Sequence, residues 1–367
     1  MKRSSRRPSR RSLLAGLGAA AMGLSFSPLL EGCGRGGPAA GGKGEEAKLN
    51  FYNWDTYIGK TTLADFKAAS GVAVNMTLFA SNDELFAKLK AGNPGYDVIV
   101  PSNETVTRMA DANLLMALNH AKLPNIANLD PQFRDAVFDK GRKYSMPYTW
   151  GVIGIGYRKS KVKAPPDSWK LLFESDQYKG RIAVVSESAD LIRLGAKYLG
   201  HSILGVGPDM IAKVEAMLIK QKPNIKTFHD DNGQDLLAAG DVDLVMENAG
   251  DIAQVMREDK DLDFVVPKEG SLLYQDCLCI PAGAPRPDNA HRFINYILDA
   301  KAEAGIIDTI LYATPNAAAK KLLPANYQSN PVIFPTGPGM DKSEYGLFEG
   351  AGQAQAFEEA MTRIRAA

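Results

Sequence analysis

The chain has 367 residues, 45% of them hydrophobic and 23% charged, with 43 Lys+Arg against 42 Asp+Glu. This apolar content with balanced charge excludes a disordered chain and a basic nucleic-acid-binding protein, and the length calls for two or three domain-sized units. Three cysteines, none in a CxxC pair, exclude a disulfide-built scaffold and a cysteine-type structural zinc site.

Residues Met1 to Cys33 combine a basic stretch, an apolar run from Leu13 to Leu30 and small residues before Cys33, the layout of an export signal peptide. Ser9-Arg10-Arg11-Ser12-Leu13-Leu14 resembles the twin-arginine signature, with the general secretory route as the alternative. Leu30-Glu31-Gly32-Cys33 resembles a bacterial lipobox, in which the cysteine is lipidated and becomes the mature N-terminus; an uncleaved membrane anchor is the competing reading. Residues 34–47, opening with a Gly-, Pro- and Ala-rich run, are expected to be a flexible tether. Cleavage before Cys33 removes six basic residues and Glu31, leaving 37 basic and 41 acidic side chains. That mildly acidic balance favours a cationic ligand.

From Leu49 short apolar strands alternate with amphipathic helices, an order that predicts a parallel α/β sheet. Strands are predicted at 49–54, 72–79 and 97–100, with a helix near 62–69 stopped by Gly71 and another starting after Asn82. A second set follows Gly180: strands at 181–185, 242–246 and 262–266, the first two leading into helices through Ser186-Glu187-Ser188-Ala189-Asp190 and Glu247-Asn248-Ala249-Gly250-Asp251. Apolar strands at 150–157 and 272–280 are expected to cross between the two sets, and a helix is predicted over 351–365.

In open parallel sheets ligands bind beyond the carboxyl ends of the strands. Trp54, Asp55, Tyr57, Ser81, Ser102 and Glu104 fall there in the first set, and Glu187, Asp190 and Asp251 in the second. Carboxylates beside aromatic rings suit an alkyl-ammonium ligand, through charge-assisted hydrogen bonds and cation–π contacts of roughly 0.5–2 kcal/mol each. Helix N-caps are the competing reading for Asp190 and Asp251, and lobe-core aromatics for Trp54 and Tyr274.

Six segments carry a resemblance that runs from about Leu49 to the C-terminus. They are Phe51-Tyr52-Asn53-Trp54, Ser81-Asn82-Asp83-Glu84, Tyr96-Asp97-Val98-Ile99-Val100-Pro101-Ser102, Tyr144-Ser145-Met146-Pro147-Tyr148, Val266-Pro267-Lys268-Glu269-Gly270 and Thr314-Pro315-Asn316. In these the chain resembles the periplasmic spermidine/putrescine-binding protein family, the substrate-capturing component of ABC importers. The resemblance implies a two-lobed periplasmic binding protein fold of type II, with lobe one at 48–148 plus 273–322 and lobe two at 149–272 plus 323–367. It implies a monomer in the periplasm or cell envelope that closes on putrescine or spermidine and docks on a membrane permease driven by an ATPase. Trp54 and Tyr57 then form an aromatic wall, with Asp55 beside Thr56 where the family often has an acid. Ser102 matches a ligand-bonding serine, and Glu104 stands where an aromatic occurs, restoring a carboxylate to that wall. Glu187, Asp190 and Asp251 match acidic positions across the cleft, Asn248 replaces a tryptophan, Tyr274 and Asp276 match an aromatic and a carboxylate that grip the ligand, and Tyr312 matches a further wall aromatic.

No enzyme signature competes: the four histidines lack HExxH spacing, no GxSxG or P-loop occurs, no metal or cofactor is implied, and Gly154-Ile155-Gly156 reads as strand geometry. A carboxylate-pair hydrolase built on Glu187 with Asp190 or Asp251 is the minor alternative. A binder of another organic cation or amino compound, of opine, thiamine or aminophosphonate type, is the larger one; the absence of a Tyr-Tyr pair speaks against ferric iron. Cys277 and Cys279 fall on one face of a strand and are expected to be buried free thiols. Mass spectrometry of the exported protein is expected to find a lipid-modified Cys33 as the first residue; a mature chain beginning elsewhere, or an unmodified cysteine, refutes the lipobox reading.

Overall fold

The computed structural model describes residues 45–367, so the expected signal peptide, Cys33 and the tether up to residue 44 lie outside the described residues. Residues 45–47, expected as the tether's end, are instead docked. The Glu45 carboxylate accepts the backbone N–H groups of Asp288 (2.9 Å) and Asn289 (2.7 Å) in the first turn of helix Pro287–Ile297. The orphan amides and the dipole of a helix N-terminus favour an anion there.

Ten strands form one hydrogen-bonded network: β1 (Lys48–Asn53), β2 (Ala73–Leu78), β3 (Val98–Ile99), β4 (Ser145–Arg158), β5 (Ile182–Val185), β6 (Ile225–His229), β7 (Leu244–Asn248), β8 (Leu262–Val265), β9 (Leu272–Cys279) and β10 (Glu344–Tyr345). The order is β2-β1-β3-β9-β4-β7-β5-β6, with β10 beside β9 and β8 beside β4. On one side β1 runs parallel to β2 and β3, and on the other β5 runs parallel to β6 and β7.

The sheet is mixed, not parallel as the alternation predicts. β4 runs antiparallel to β7, β8 and β9, and β9 runs antiparallel to β3 and β4 while the short β10 lies parallel to it. The reason is topological: β4 carries the chain out of the first half and β9 brings it back, so the two must point in opposite directions. The division falls within β4, whose Ser145–Val152 stretch pairs with β9 while Ile153–Arg158 pairs with β7 and β8. Its start at Ser145 precedes the predicted start because Ser145, Met146 and Pro147 already pair with Cys279, Leu278 and Cys277.

Local physics explains the other elements. Helix Asn82–Lys90 is capped by Ser81, whose hydroxyl accepts the Glu84 N–H at 3.1 Å. Gly71, at φ 76°, ends helix Thr62–Ser70 in the left-handed conformation. Strand β6 and helix Pro208–Gln221 are missing from the sequence reading, although Pro208 at a first helical position, followed by Ile211, Val214 and Leu218 on one buried face, is a helix signature. That helix packs with Ser188–Tyr198 and the C-terminal helix Ala351–Ala366. Cys277 and Cys279 are buried free thiols in a cluster with Tyr52 and Ile99.

Gly154 and Gly156 keep β4 thin where the second half packs on it. A Cβ on Gly154 overlaps the Phe264 ring and comes within 2.6 Å of the Val265 carbonyl oxygen, and one on Gly156 comes within 2.5 Å of Ile252 Cδ1. Gly154→Ala is therefore expected to destabilise the fold by about 1–3 kcal/mol in denaturant titration, through overpacking against a backbone that cannot yield. Unchanged stability would show that β8 moves aside at no cost.

Candidate functional site

The carboxyl ends of β1, β2, β3, β5, β6 and β7 all feed the loops around one cavity of about 100 Å³ between the two halves of the sheet. All eleven side chains singled out from the sequence line it: Trp54, Asp55, Tyr57, Ser102, Glu104, Glu187, Asp190, Asp251, Tyr274, Asp276 and Tyr312. Their arrangement divides the cavity into two electrostatically different ends.

At one end Asp276, in the middle of β9, accepts hydrogen bonds from the Tyr57 hydroxyl (2.7 Å) and the Ser102 hydroxyl (2.7 Å). Tyr57 has one proton and spends it on Asp276, so the Thr149 hydroxyl, also in contact with the phenol oxygen, donates to Tyr57. Asp251 accepts from the Tyr312 hydroxyl at 2.6 Å, with Asn248 Nδ2 at 3.4 Å and Gln254 Nε2 at 3.3 Å. Tyr57 and Tyr312 meet edge to face with ring centroids 4.6 Å apart, tying the two carboxylate clusters into one cage. The Tyr312 ring lies directly on Gly250, where any Cβ would overlap it. The Tyr274 hydroxyl lines the same cavity, buried and without a hydrogen-bond partner among the described residues, as is Glu247 Oε2. Trp54 stacks obliquely on Phe79 at 4.3 Å and fixes its ring by donating its Nε1–H to the Val100 carbonyl at 2.8 Å.

Asp251 and Asp190 are not N-caps. Asn248 and Glu187 occupy those positions, and each aspartate sits three residues further along, in the first turn of its helix. Glu187 does not bond its own helix; it reaches across the cleft to accept the Asn82 N–H at 3.0 Å. Asp55 is exposed and accepts its neighbour Thr56's N–H, at a residue with φ 49°.

At this second end one expectation changes. Glu104 does not stand free on the aromatic wall: it forms an ion pair with Arg193, a fully buried guanidinium from helix Ser188–Tyr198. Asp83 pairs with Arg108 at 2.8 Å, and Arg108 also bridges to Glu358 of the C-terminal helix at 2.7 Å. Two arginines therefore offset the carboxylates Asp83, Glu104, Glu187 and Asp190.

No cation among the described residues lines the first end. Burial pushes the Asp276 carboxyl up to about 6 and Glu247 up to about 7; Asp251 rises to about 8 under burial and the Glu247 charge. Asp231 rises to about 9 under burial and the charges of Asp251 and Glu247. At the second end burial and Glu104 lift Asp190 to about 7, with Arg193 opposing the rise. Sequence reasoning missed Asp231, Asp83 and Glu247. Asp231 follows the unread strand β6, and Asp230-Asp231-Asn232 at a strand end before helix Gly233–Ala238 was the available signal. Chemically, the cage can hold a small dication by its carboxylates while the rings cover the carbon chain.

The model of the bacterial extracellular solute-binding protein family matches residues 61–336. The putrescine-binding periplasmic protein of Escherichia coli (strain K12) is 34% identical over 310 residues, covering 79% of this chain and 84% of that one. The solved spermidine/putrescine ABC transporter substrate-binding protein PotD of Streptococcus pneumoniae is similar at TM-score 0.72 and 29% identity, covering 87% of this chain and 98% of that one. The TpPotD lipoprotein of Treponema pallidum is similar at TM-score 0.75 and 26% identity, covering 87% and all of it (100%) respectively.

The raised carboxyls are expected to make closure of the two lobes pH-dependent. Between the ordinary value near 4 and the raised values of about 6 to 9, the closed form holds protons that a hydrated open cleft releases, so rising pH disfavours the closed form. Small-angle scattering of the ligand-free protein is expected to show the radius of gyration growing as pH rises from about 5 to about 8. A radius constant across that range would mean that the carboxyls do not oppose closure.

Proposed function

Because the chain belongs to the bacterial extracellular solute-binding protein family and has its two-lobed periplasmic binding protein fold, we propose that it captures a polyamine, putrescine or spermidine, for an ABC importer rather than catalysing a reaction. One observation carries the reading: Asp276, Asp251, Glu247 and Asp231 line one cavity, two of them held by tyrosine hydroxyls, with no lysine or arginine at that end among the described residues. A terminal ammonium donates to Asp276, replacing water lost on closure, and the second ammonium donates to Asp251, with the Tyr274 hydroxyl available to either. Trp54, Tyr57 and Tyr312 cover the alkyl chain. The E. coli relative is named for putrescine binding and the S. pneumoniae one for spermidine/putrescine transport, in agreement with this chemistry. A ligand bearing a phosphonate or carboxylate meets an uncompensated acidic wall, which disfavours the aminophosphonate and opine types.

The lobes close about the β4–β9 pair, and closing without ligand leaves buried like charges, so the dication stabilises the closed form by differential contact. The closed protein then docks on a permease coupled to a cytoplasmic ATPase. The site lies outside the cytoplasm, in the periplasm or cell envelope, and the chain acts as a monomer held at the membrane through Cys33. The lipoprotein relative supports that anchor.

Calorimetry is expected to show putrescine or spermidine binding to the mature protein, with Asp276→Asn and Asp251→Asn each weakening it about tenfold or more, as loss of a charged hydrogen bond implies. Heats of binding with an amino-acid panel and none with any polyamine would refute the reading.

A further inference from the structure

Tyr57 reaches Asp276 from a turn that its own sequence does not favour. Thr56, the residue before it, is held at φ 49°, a left-handed conformation that a β-branched residue adopts only under constraint. The Thr56 side chain is exposed, so its packing does not impose the turn. The constraint falls on the next peptide instead. The Tyr57 carbonyl accepts Asn53 Nδ2–H at 2.9 Å from the end of β1 and the Tyr148 hydroxyl at 2.8 Å from β4.

Tyr148 is fully buried, and the pairing of β4 with β9 slips there: Pro147 lies opposite Cys277 and Thr149 opposite Asp276, which leaves Tyr148 as an extra residue. A bulge of this kind re-aims side chains. Here successive residues of β4 meet the two polar ends of Tyr57, Tyr148 at its carbonyl and Thr149 at its hydroxyl. Tyr312, which holds Asp251, repeats the arrangement: Leu311 before it sits at φ 59°, and the buried Tyr327 donates its hydroxyl to the Tyr312 carbonyl at 2.7 Å.

Resting on the reading above, we propose that Tyr148 is a positioning residue for capture: its hydroxyl secures the left-handed turn at Thr56 and so delivers the Tyr57 hydroxyl to Asp276. Tyr148 does not itself line the cavity, so it acts through Tyr57. Without this bond the turn relaxes toward negative φ and carries the Tyr57 hydroxyl away from the carboxylate that receives an ammonium.

Glycine adopts the left-handed conformation without steric cost, which separates a positioning role from a purely structural one. Tyr148→Phe removes one oxygen and keeps the ring that meets Tyr57 edge to face at 5.3 Å. Putrescine and spermidine are each titrated by calorimetry into wild-type protein, Tyr148→Phe, Thr56→Gly and the double variant, and the Tm of each protein is measured. Tyr148→Phe is expected to weaken binding about fivefold, the worth of one hydrogen bond. Thr56→Gly is expected to bind as wild-type protein does and to have a higher Tm, its strain relieved. The double variant is expected to regain wild-type affinity to within about twofold. A hydroxyl that only supports the fold lowers the Tm of Tyr148→Phe and leaves affinity unchanged, which overturns the proposal, as does weakened binding that persists in the double variant. If Tyr148→Phe does not fold, the Tm of Thr56→Gly decides, since a lowered value shows that the turn holds no strain for Tyr148 to oppose. Binding of neither amine by wild-type protein defeats the polyamine reading and this inference together, whereas wild-type binding that Tyr148→Phe leaves unchanged defeats this inference alone.

Discussion

The structure is organised around carboxylates that are brought together without enough cations to match them. Asp276 on a crossing strand, Glu247 at the end of β7, Asp251 in the helix that follows it and Asp231 after β6 meet in one cavity, the first three of them buried. Low-dielectric surroundings strengthen like-charge repulsion there, and removal of hydration penalises each charge separately. Burial answers in part by raising the proton affinity of these carboxyls. A dication answers better, because it supplies charge and hydrogen-bond donors where the protein has placed only acceptors and hydroxyls.

This arrangement follows from sheet topology. Parallel strands place every carboxyl end on the same side, so residues after β1, β2 and β3 face residues after β5, β6 and β7 once β4 and β9 set the two halves side by side. The hydroxyls that hold the carboxylates come from residues distant in sequence: Tyr312 for Asp251, Ser102 and Tyr57 for Asp276. At the far end, Glu104–Arg193 and Asp83–Arg108–Glu358 close the cleft with charges internal to the protein. The Glu104–Arg193 pair, with its buried guanidinium, gains little net stability, since desolvation offsets the attraction; what it provides is a fixed charge pattern.

Much of this was legible before any coordinates. Strand ends differed from expectation by one or two residues in β1, β2, β5 and β7, because apolar runs with flanking turn residues mark strands locally. The convergence of the eleven candidate residues was legible only through the rule that parallel strands present ligands at their carboxyl ends, together with the family resemblance. The mixed sheet was not legible, since strand direction depends on how the chain returns and not on the residues of the strand itself.

The sequence alone determined the alternation of strands and helices, the acidic balance of the chain after Cys33, and the residue types that end each strand, because these are properties of near neighbours. Tertiary structure alone decided which carboxylates are left without a cation. Tyr57 reaches Asp276 across 219 residues and Arg193 reaches Glu104 across 89, so the assignment of Glu104 to an internal partner, and of Asp231 and Glu247 to the cleft, depends on long-range packing. Charge compensation is set by distance in space and by burial, and no local pattern of residues encodes either.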